Sequence, residues 1–318
     1  DKIMTQIPRP EHPQPQMKRE HWKNLNGEWD FSFDFGCSGI DQKWQEGKTD
    51  WEKKILVPFC PESDLSGIGY KDFIPGVWYH RTITLTGEEL KGDLLLHFGA
   101  VDYDARVWIN GVEAGRHQGG YVSFTFNITN LVKEGENDIT LFAADDVRGG
   151  KQPKGKQSHF FYSRGCDYTR TTGIWQTVWL EWVPESYIEK VQYYPNLAEA
   201  TLGIKAVVKG QGTLEAKAFY GGEPCGSVSA KSEGGTVTMT LPLSRLEKWE
   251  PGHGRLDDLT LTYGEDKVES YFGMREVRLD GEKFLINDKS VFQRLVLDQG
   301  FYPDGIYTCL LYTSPSPR

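Results

Sequence analysis

Apolar and polar residues alternate with a period of two along most of the chain, and helical periodicity is almost absent. The alternating runs span about 5–8 residues and end at Gly, Asn or Asp, which is the pattern of strands joined by turns. The clearest of them are "WYHRTITL", "DLLLHFG", "ARVWING", "SFTFNIT", "NDITLFAA" and "TVWLEWV". Asn110-Gly111 favours a type I′ hairpin turn, because both central residues of that turn need a positive φ angle. These runs predict a β-sandwich, which we assign to residues 1–183.

A second set of strands begins after Pro184, which interrupts the run that ends at Val183. The new runs alternate strictly and recur at short intervals: "ATLGIKAVVKG", "GTLEAKAFYGG", "GTVTMTLPLS" and "LDDLTLTYG". Their spacing predicts a second, smaller sandwich of immunoglobulin-like architecture over residues 184–273.

The pattern changes again after Gly273, where "REVRLDGEKFLINDKSVFQRLVLDQG" predicts a short hairpin and then one apolar strand. Such a strand, ending in Asp298 and Gln299, is typical of the start of an α/β barrel, whose site residues lie at the carboxyl ends of the strands. A barrel takes roughly 250 residues, so residues 274–308 are assigned only to its start. Residues 309–318 are interpreted as a non-native read-through, with a disordered Ser- and Pro-rich tail as the alternative.

Charge and composition narrow the classes of partner. The net charge is −9 at pH 7 and the basic residues are scattered, which argues against nucleic acid and against an anionic membrane surface. No stretch approaches the ~20 consecutive apolar residues that a membrane span needs. The five cysteines and the histidines show no metal-ligand spacing, so no metal or cofactor is predicted. Ten Trp and fifteen Tyr suit sandwich cores and also the apolar faces of sugars.

One long segment without periodicity, "DDVRGGKQPKGKQSHFFYSRGCDYTRTTGIW", carries the main binding candidates. Loops of this length inside a domain are usually functional or disordered. The segment ends in a dense set of polar and aromatic side chains: Tyr162, Arg164, Asp167, Tyr168 and Arg170. A carboxylate such as Asp167 can accept charge-assisted hydrogen bonds from a hydroxylated ligand, and an ion pair with Arg164 or Arg170 is the alternative. Arg170 is expected either to orient Asp167 or to bond a carboxylate of the ligand.

Two acidic pairs are predicted to be structural. Asp102 and Asp104 share a strand face at i and i+2, and we expect them to face solvent or to pair with Arg106. Asp145 and Asp146 follow a strand, and we expect a loop of solvated charge in which one acid holds the long loop in place.

Several segments, in this order and spacing, resemble glycoside hydrolase family two, the family of β-galactosidases, β-glucuronidases and β-mannosidases. They are "LNGEWDFSFD", "VPFCPES", "LHFGAVDYDARVWINGVEAGRHQGGYVSFTFNITNLVKEGENDITL", "CDYTRTTGIWQTVWLEWV", "YFGMREVRLDGEKFLIN" and "LVLDQGFYPDGIYT". The resemblance implies an all-β chain, with a jelly-roll sugar-binding domain, an immunoglobulin-like sandwich and the first strand of a truncated TIM barrel. It also implies that Asp167, Arg170, Asp298 and Gln299 belong to the substrate-binding surface.

The same resemblance puts the acid/base and nucleophile carboxylates beyond Thr308, so no catalytic residue is predicted in this chain. The β-galactosidase pattern has Asn-Arg-His-Glu where this chain has Leu297-Asp298-Gln299-Gly300, so the sugar stays unspecified. We expect the non-catalytic front part of a retaining β-glycosidase that hydrolyses O-glycosyl bonds, with carbohydrate as its partner.

The alternatives are a free-standing carbohydrate-binding module and a β-sandwich scaffold protein. A lone barrel strand tipped by "LDQG" favours the enzyme, because a binding module has no use for it. The chain opens at Asp1, and a removed leader or a lost start is expected, which favours a periplasmic or secreted location over the cytoplasm. No oligomeric state is predicted.

Overall fold

A computed structural model describes residues 7–309, which consist almost entirely of strands and connecting loops. These residues form two compact units, the first of residues 7–13, 22–182 and 298–309, the second of residues 14–21 and 183–297. The predicted all-β class is confirmed. Of the predicted tail, residues 310–318 lie outside the described part of the chain. Within residues 7–309, no helix has the length and apolar character that crossing a membrane requires.

The first unit is a sandwich of two antiparallel sheets. Its strands are β1 (Trp22–Asn24), β2 (Gly27–Phe33), β3 (Lys53–Val57), β4 (Gly76–Leu85), β5 (Asp93–Phe98), β6 (Val101–Asp102), β7 (Asp104–Ile109), β8 (Val112–Gln118), β9 (Phe124–Asn127), β10 (Gly135–Ala144), β11 (Gly173–Ile174) and β12 (Val178–Val183). Short 3-10 turns cover Trp44–Glu46, Asp64–Ser66, Glu88–Leu90 and Thr129–Leu131. The sheet orders are β1-β12-β5-β9 and β3-β2-β4-β10-β7-β8, with β11 and β6 as a separate pair. Side chains of both sheets meet in one core, with Tyr79 and Leu141 from the larger sheet and Leu96 and Leu180 from the smaller.

The second unit consists of sheets of three or four antiparallel strands. Its strands are β13 (Tyr187–Asn196), β14 (Thr201–Lys209), β15 (Gly212–Tyr220), β16 (Glu223–Ser232), β17 (Gly235–Pro242), β18 (Asp257–Tyr263), β19 (Asp266–Phe272), β20 (Val277–Asp280), β21 (Lys283–Ile286) and β22 (Lys289–Ser290). The sheet orders are β13-β14-β17, β16-β15-β18-β19 and β20-β21-β22. Ile204 and Val237 of the first sheet and Leu214 and Leu261 of the second lie in one core, as strict alternation requires.

The apolar segment that was predicted as a barrel strand forms no strand between residues 291 and 300. Its apolar side chains are at least 80% exposed at Phe292, Leu295, Val296 and Leu297. A strand is stable only where a neighbour pairs its backbone N–H and C=O groups, and no strand in the described residues pairs with this one. The stretch 274–308 is thus divided, because β20–β22 lie in the second unit and residues 298–309 in the first.

A buried ion pair attaches residues 14–21 to the second unit. The Arg19 guanidinium donates to the two Asp266 carboxylate oxygens at 2.8 and 2.9 Å and to the Ile188 carbonyl at 2.6 Å. The Ile188 amide donates to the same carboxylate at 2.9 Å. Breaking a buried pair is costly because the remaining charge keeps its desolvation penalty without its partner.

Buried carboxyl groups hold both ends of the long loop that connects β10 with β11. Near its start, Asp145 accepts hydrogen bonds from Gln152 Nε2 at 2.6 Å and from Thr172 Oγ1 at 2.9 Å. At its end, the Thr172 amide donates to Glu62 Oε2 at 3.2 Å. The expectation that one acid of the Asp145-Asp146 pair holds the loop is confirmed, but the expected solvated charge is wrong for Asp145, which is buried, and right only for the exposed Asp146.

The middle of the same loop is fixed by Gln157, whose side chain is fully buried. Its Nε2 donates to Asp102 Oδ2 at 2.7 Å, and its Oε1 accepts from the Thr171 amide at 2.9 Å. The expectation that Asp102 faces solvent was therefore wrong. β6 ends at Asp102 and β7 begins at Asp104, so the alternation of one strand does not extend across both. Asp104 pairs with Arg116 rather than with Arg106.

Burial raises the pKa of each of these carboxyl groups in the fold. Desolvation raises the pKa of Glu62 to about 8 and, together with repulsion from Asp145, that of Asp102 to about 8. Desolvation also raises the pKa of Asp145 to about 6. The folded chain therefore retains protons that the unfolded chain releases near pH 4, since ordinary carboxyl groups titrate at about that value.

Arg19→Met is expected to lower the free energy of unfolding of the second unit by about 3–5 kcal/mol, because Asp266 would stay buried without its guanidinium. The control Lys217→Met removes an exposed pair with Glu215 at 3.1 Å, and we expect it to cost about 0–1 kcal/mol. Urea unfolding followed by hydrogen exchange of the β13 and β19 amides measures both. Equal losses in the two variants would contradict the structural role of Arg19.

Raising the pH is expected to destabilise the first unit. The free energy of unfolding begins to fall near pH 4, where the carboxyl groups of the unfolded chain ionise. It levels off above about pH 8, where Glu62 and Asp102 ionise in the folded chain. The loss is on the order of several kcal/mol, because each pKa unit is worth about 1.4 kcal/mol. Unfolding in urea at stepped pH is the measurement. Glu62→Gln should flatten the profile, whereas Glu88→Gln, at an exposed position, should leave it as in the parent. A Glu62→Gln profile as steep as the parent's would refute the assignment.

Candidate functional site

Asp167 lies at the end of a tight turn in the long loop. The backbones of Arg164 and Asp167 exchange two hydrogen bonds of 3.0 and 2.9 Å across Gly165 and Cys166. The Asp167 carboxylate is half-buried and makes no hydrogen bond or ion pair with any of residues 7–309. The ion pair with Arg164 or Arg170, which was the alternative to ligand binding, is therefore not formed. The carboxylate keeps its capacity to accept hydrogen bonds from a ligand.

Arg170 is buried inside the loop instead of facing a ligand, with 1% of its surface exposed. Its guanidinium donates to the main-chain carbonyls of Lys71, Ser158, Phe160 and Phe161, at 3.2 Å for Ser158 and 3.3 Å for Phe161. Burial lowers the pKa of Arg170. The expectation that Arg170 contacts substrate or orients Asp167 is corrected, because its donors are turned to the loop backbone.

Asp298 and Gln299 lie at the start of the segment that returns to the first unit. Asp298 is exposed, and its Oδ1 accepts from the Gly300 amide at 2.9 Å, which closes a local turn. Gln299 Oε1 accepts from Lys156 Nζ at 2.6 Å, so this residue bridges to the long loop. Substrate binding by Asp298 and Gln299 stays a prediction.

Aromatic contacts fix the segment 298–309 against the long loop. The Phe301 ring stacks on the Tyr168 ring, with centroids 4.0 Å apart and planes 17° from parallel. The hydroxyls of Tyr307 and Tyr121 lie 2.9 Å apart, and burial raises the pKa of both phenols. The structure thus brings together the two regions that the sequence analysis singled out, because Lys156 is bonded to Gln299 and Tyr168, the residue after Asp167, is stacked on Phe301.

Some of these contacts were missed by the sequence analysis. The sequence holds one signal for the stacking of Tyr168 on Phe301, because each of these aromatic residues lies within two positions of a predicted site residue. Gln157 had no signal, because a glutamine in a Lys-rich loop is normally solvated. In the described part of the chain, no group of three or more His, Cys, Asp or Glu residues is arranged to hold a metal ion.

The side chains of this region are suited to binding a ligand, not to hydrolysing one. An unpaired carboxylate, an exposed ammonium group and aromatic rings can fix a polyhydroxylated ligand by hydrogen bonds and by contact with its apolar faces. A hydrolytic site of the retaining type needs two carboxyl groups about 5–5.5 Å apart on either side of the bond. The close carboxyl groups of this unit, Glu62, Asp102 and Asp145, are buried under the loop and cannot meet a substrate there.

Comparisons with known proteins agree with the architecture. Residues 22–184, about half of the chain, match the family described as Glycosyl hydrolases family 2, sugar binding domain. The β-glucuronidase of Paenibacillus borealis is 24% identical over 85% of this chain and 48% of its own length. That of Sus scrofa is 27% identical over 88% of this chain and 48% of its own length. The chain thus spans about half the length of the curated relatives it matches.

A solved β-glucuronidase from Ruminococcus gnavus in complex with D-glucuronic acid has the same fold over most of this chain. It superposes with a TM-score of 0.77, covers 92% of this chain and 52% of its own, and is 20% identical. The predicted succession of sandwiches is confirmed by this likeness, and the predicted resemblance is confirmed by the family match. The chain therefore belongs to glycoside hydrolase family 2 and contains its sugar-binding domain.

Proposed function

We propose that this chain is the sugar-recognition part of a retaining β-glycosidase that acts on β-glucuronides. The observation that carries the proposal is the Asp167 carboxylate, which has no partner within residues 7–309 and lies on a loop held by buried hydrogen bonds. A carboxylate fixed in this way accepts hydrogen bonds from sugar hydroxyls without first having to be ordered.

The choice of β-glucuronides is supported by the relatives. The curated proteins that match most of this chain are named β-glucuronidases, and the solved neighbour binds D-glucuronic acid. The hydrolytic carboxylate pair is proposed to belong to a part of the enzyme outside this sequence. This division of labour agrees with the chain's spanning about half of its relatives and with the burial of its own close carboxyl groups.

In the full-length enzyme, Asp167→Ala is expected to lower kcat/KM for an aryl β-glucuronide by about ten- to a hundredfold. A hydrogen bond to a charged group contributes about 1.5–3 kcal/mol, which corresponds to that range. Asp41→Ala, at an exposed position of the same unit, is the matched control and should behave as the parent. Steady-state kinetics with aryl β-glucuronide and aryl β-galactoside provide the measurement. If Asp167→Ala and Asp41→Ala have the same kcat/KM, Asp167 does not bind the sugar, and faster turnover of the galactoside would exclude the proposed substrate class.

The chain alone is expected to hydrolyse no aryl β-glycoside above the uncatalysed rate, because its close carboxyl groups, Glu62, Asp102 and Asp145, are buried. Turnover that is abolished by a single Asp or Glu substitution within residues 7–309 would contradict the proposal. Binding of glucuronic acid by the chain alone with a Kd well below about 1 mM would favour a free-standing carbohydrate-binding module. The Asp167 carboxylate contributes only about 1.5–3 kcal/mol, and millimolar binding needs ~4 kcal/mol after the costs of ordering are subtracted.

A further inference from the structure

A separate cleft of about 300 Å³ opens in the first unit. Its walls come from three stretches of chain: residues 62–64 with Lys71, residues 163–169, and residues 301–306. Asp167, Asp298 and Gln299 are not among the residues that line it. The cleft is therefore distinct from the surface around Asp167, although the same loop contributes to both.

The three walls are tied to one another by hydrogen bonds. The buried Arg170 guanidinium joins the carbonyl of Lys71 to the loop backbone. The Leu65 amide donates to the Asp304 carbonyl at 3.1 Å, and Tyr302 and Ile306 exchange two backbone bonds of 2.8 and 3.0 Å. A cleft whose walls are already fixed does not lose further conformational freedom when a ligand binds.

The lining combines aromatic surface with hydroxyl groups. The Tyr168 ring, held by its stacking on Phe301, supplies the apolar wall. The hydroxyls of Ser163 and Thr169 lie 3.3 Å apart at one side. Aromatic faces beside hydroxyl groups suit the alternating C–H and O–H groups of a sugar ring.

The charged groups of the cleft favour a neutral ligand. Lys71 and Asp64 are both exposed and lie 3.4 Å apart, so their charges offset each other. Glu62 lies at the base of the cleft and has no exposed surface, so it adds no accessible charge. An anion would meet the Asp64 carboxylate here, and a cation would meet the Lys71 ammonium group. A neutral polyhydroxylated ring meets donors and acceptors of both kinds.

We propose that this cleft binds one neutral sugar ring of a glycan. Its volume is at the lower end of ligand pockets, which span about 300–1,000 Å³, and this limits the occupant to a single ring. The inference rests on the proposed function in that the ring is the neutral neighbour of the glucuronyl group held at Asp167. The substrate class then becomes an oligosaccharide that joins a glucuronyl group to a neutral sugar.

The test is direct binding to the full chain, measured by amide NMR with four probes: the methyl β-glycosides of glucose, galactose, xylose and N-acetylglucosamine. At least one probe is expected to bind saturably with a Kd on the order of 1 mM, the weak end of specific affinities, and to shift the amides of Thr169 and Tyr302. Lys71→Met and Thr169→Val should each weaken that binding about three- to tenfold, as the loss of one hydrogen bond predicts. Lys71 is exposed, so its replacement is not expected to disturb folding.

Asp167→Asn is the control that separates the two sites, and it should leave binding of the neutral probe unchanged. Saturable binding that both Lys71→Met and Thr169→Val leave intact would overturn the inference, as would the absence of binding by all four probes. Neither result depends on the kinetics of Asp167→Ala. A failure of the binding test can therefore be told apart from a failure of the proposed β-glucuronidase function.

Discussion

The hydrogen bonds of the buried Gln157 side chain are the interaction on which the long loop, and with it the candidate site, depends. Ordering a loop costs conformational entropy at every residue, and the β-bridges inside this loop are single ones, between Gln157 and Tyr168 and between Arg164 and Asp167. Gln157 instead joins Asp102 of the sandwich to the Thr171 amide of the loop. Asp145 and Glu62 secure the loop where it begins and ends. The position of Asp167 is therefore set from beneath the loop, by residues that are buried.

The same buried carboxyl groups show why a raised pKa is an incomplete sign of catalysis. Buried acids with a raised pKa are typical of general acids in enzymes. Here the shift has a structural cause, because burial removes water from the charged form of these groups and so raises their pKa. Glu62 and Asp102 satisfy the electrostatic criterion for a proton donor and fail the geometric one, since neither has any exposed surface. Access to solvent, rather than pKa, decides the role of these groups.

The sequence predicted what depends on local pattern. Alternation with a period of two identifies strands, so the all-β class and the two sandwiches followed from it, and the family motifs located the loop. The pattern failed where the partner is distant or the strand is interrupted. Asp102 was misread because β6 ends there, and Arg170 was misread because a buried arginine that bonds carbonyls has the same sequence signature as an exposed one. The apolar run at 291–297 carries the period of a strand but has no partner strand in the described residues.

The ion pair between Arg19 and Asp266 has a consequence for the order in which the protein is made. The two residues are 247 positions apart, so a ribosome working at about 5–20 residues per second needs roughly 12–50 s to travel from one to the other. The first sandwich can complete itself during that interval, since its strands end at Val183. Residues 14–21 must wait for a partner that is synthesised after the whole first sandwich. Vectorial synthesis therefore makes the earliest segment of the second unit one of the last to reach its native contacts, and its exposure to proteases or chaperones is longest on the nascent chain.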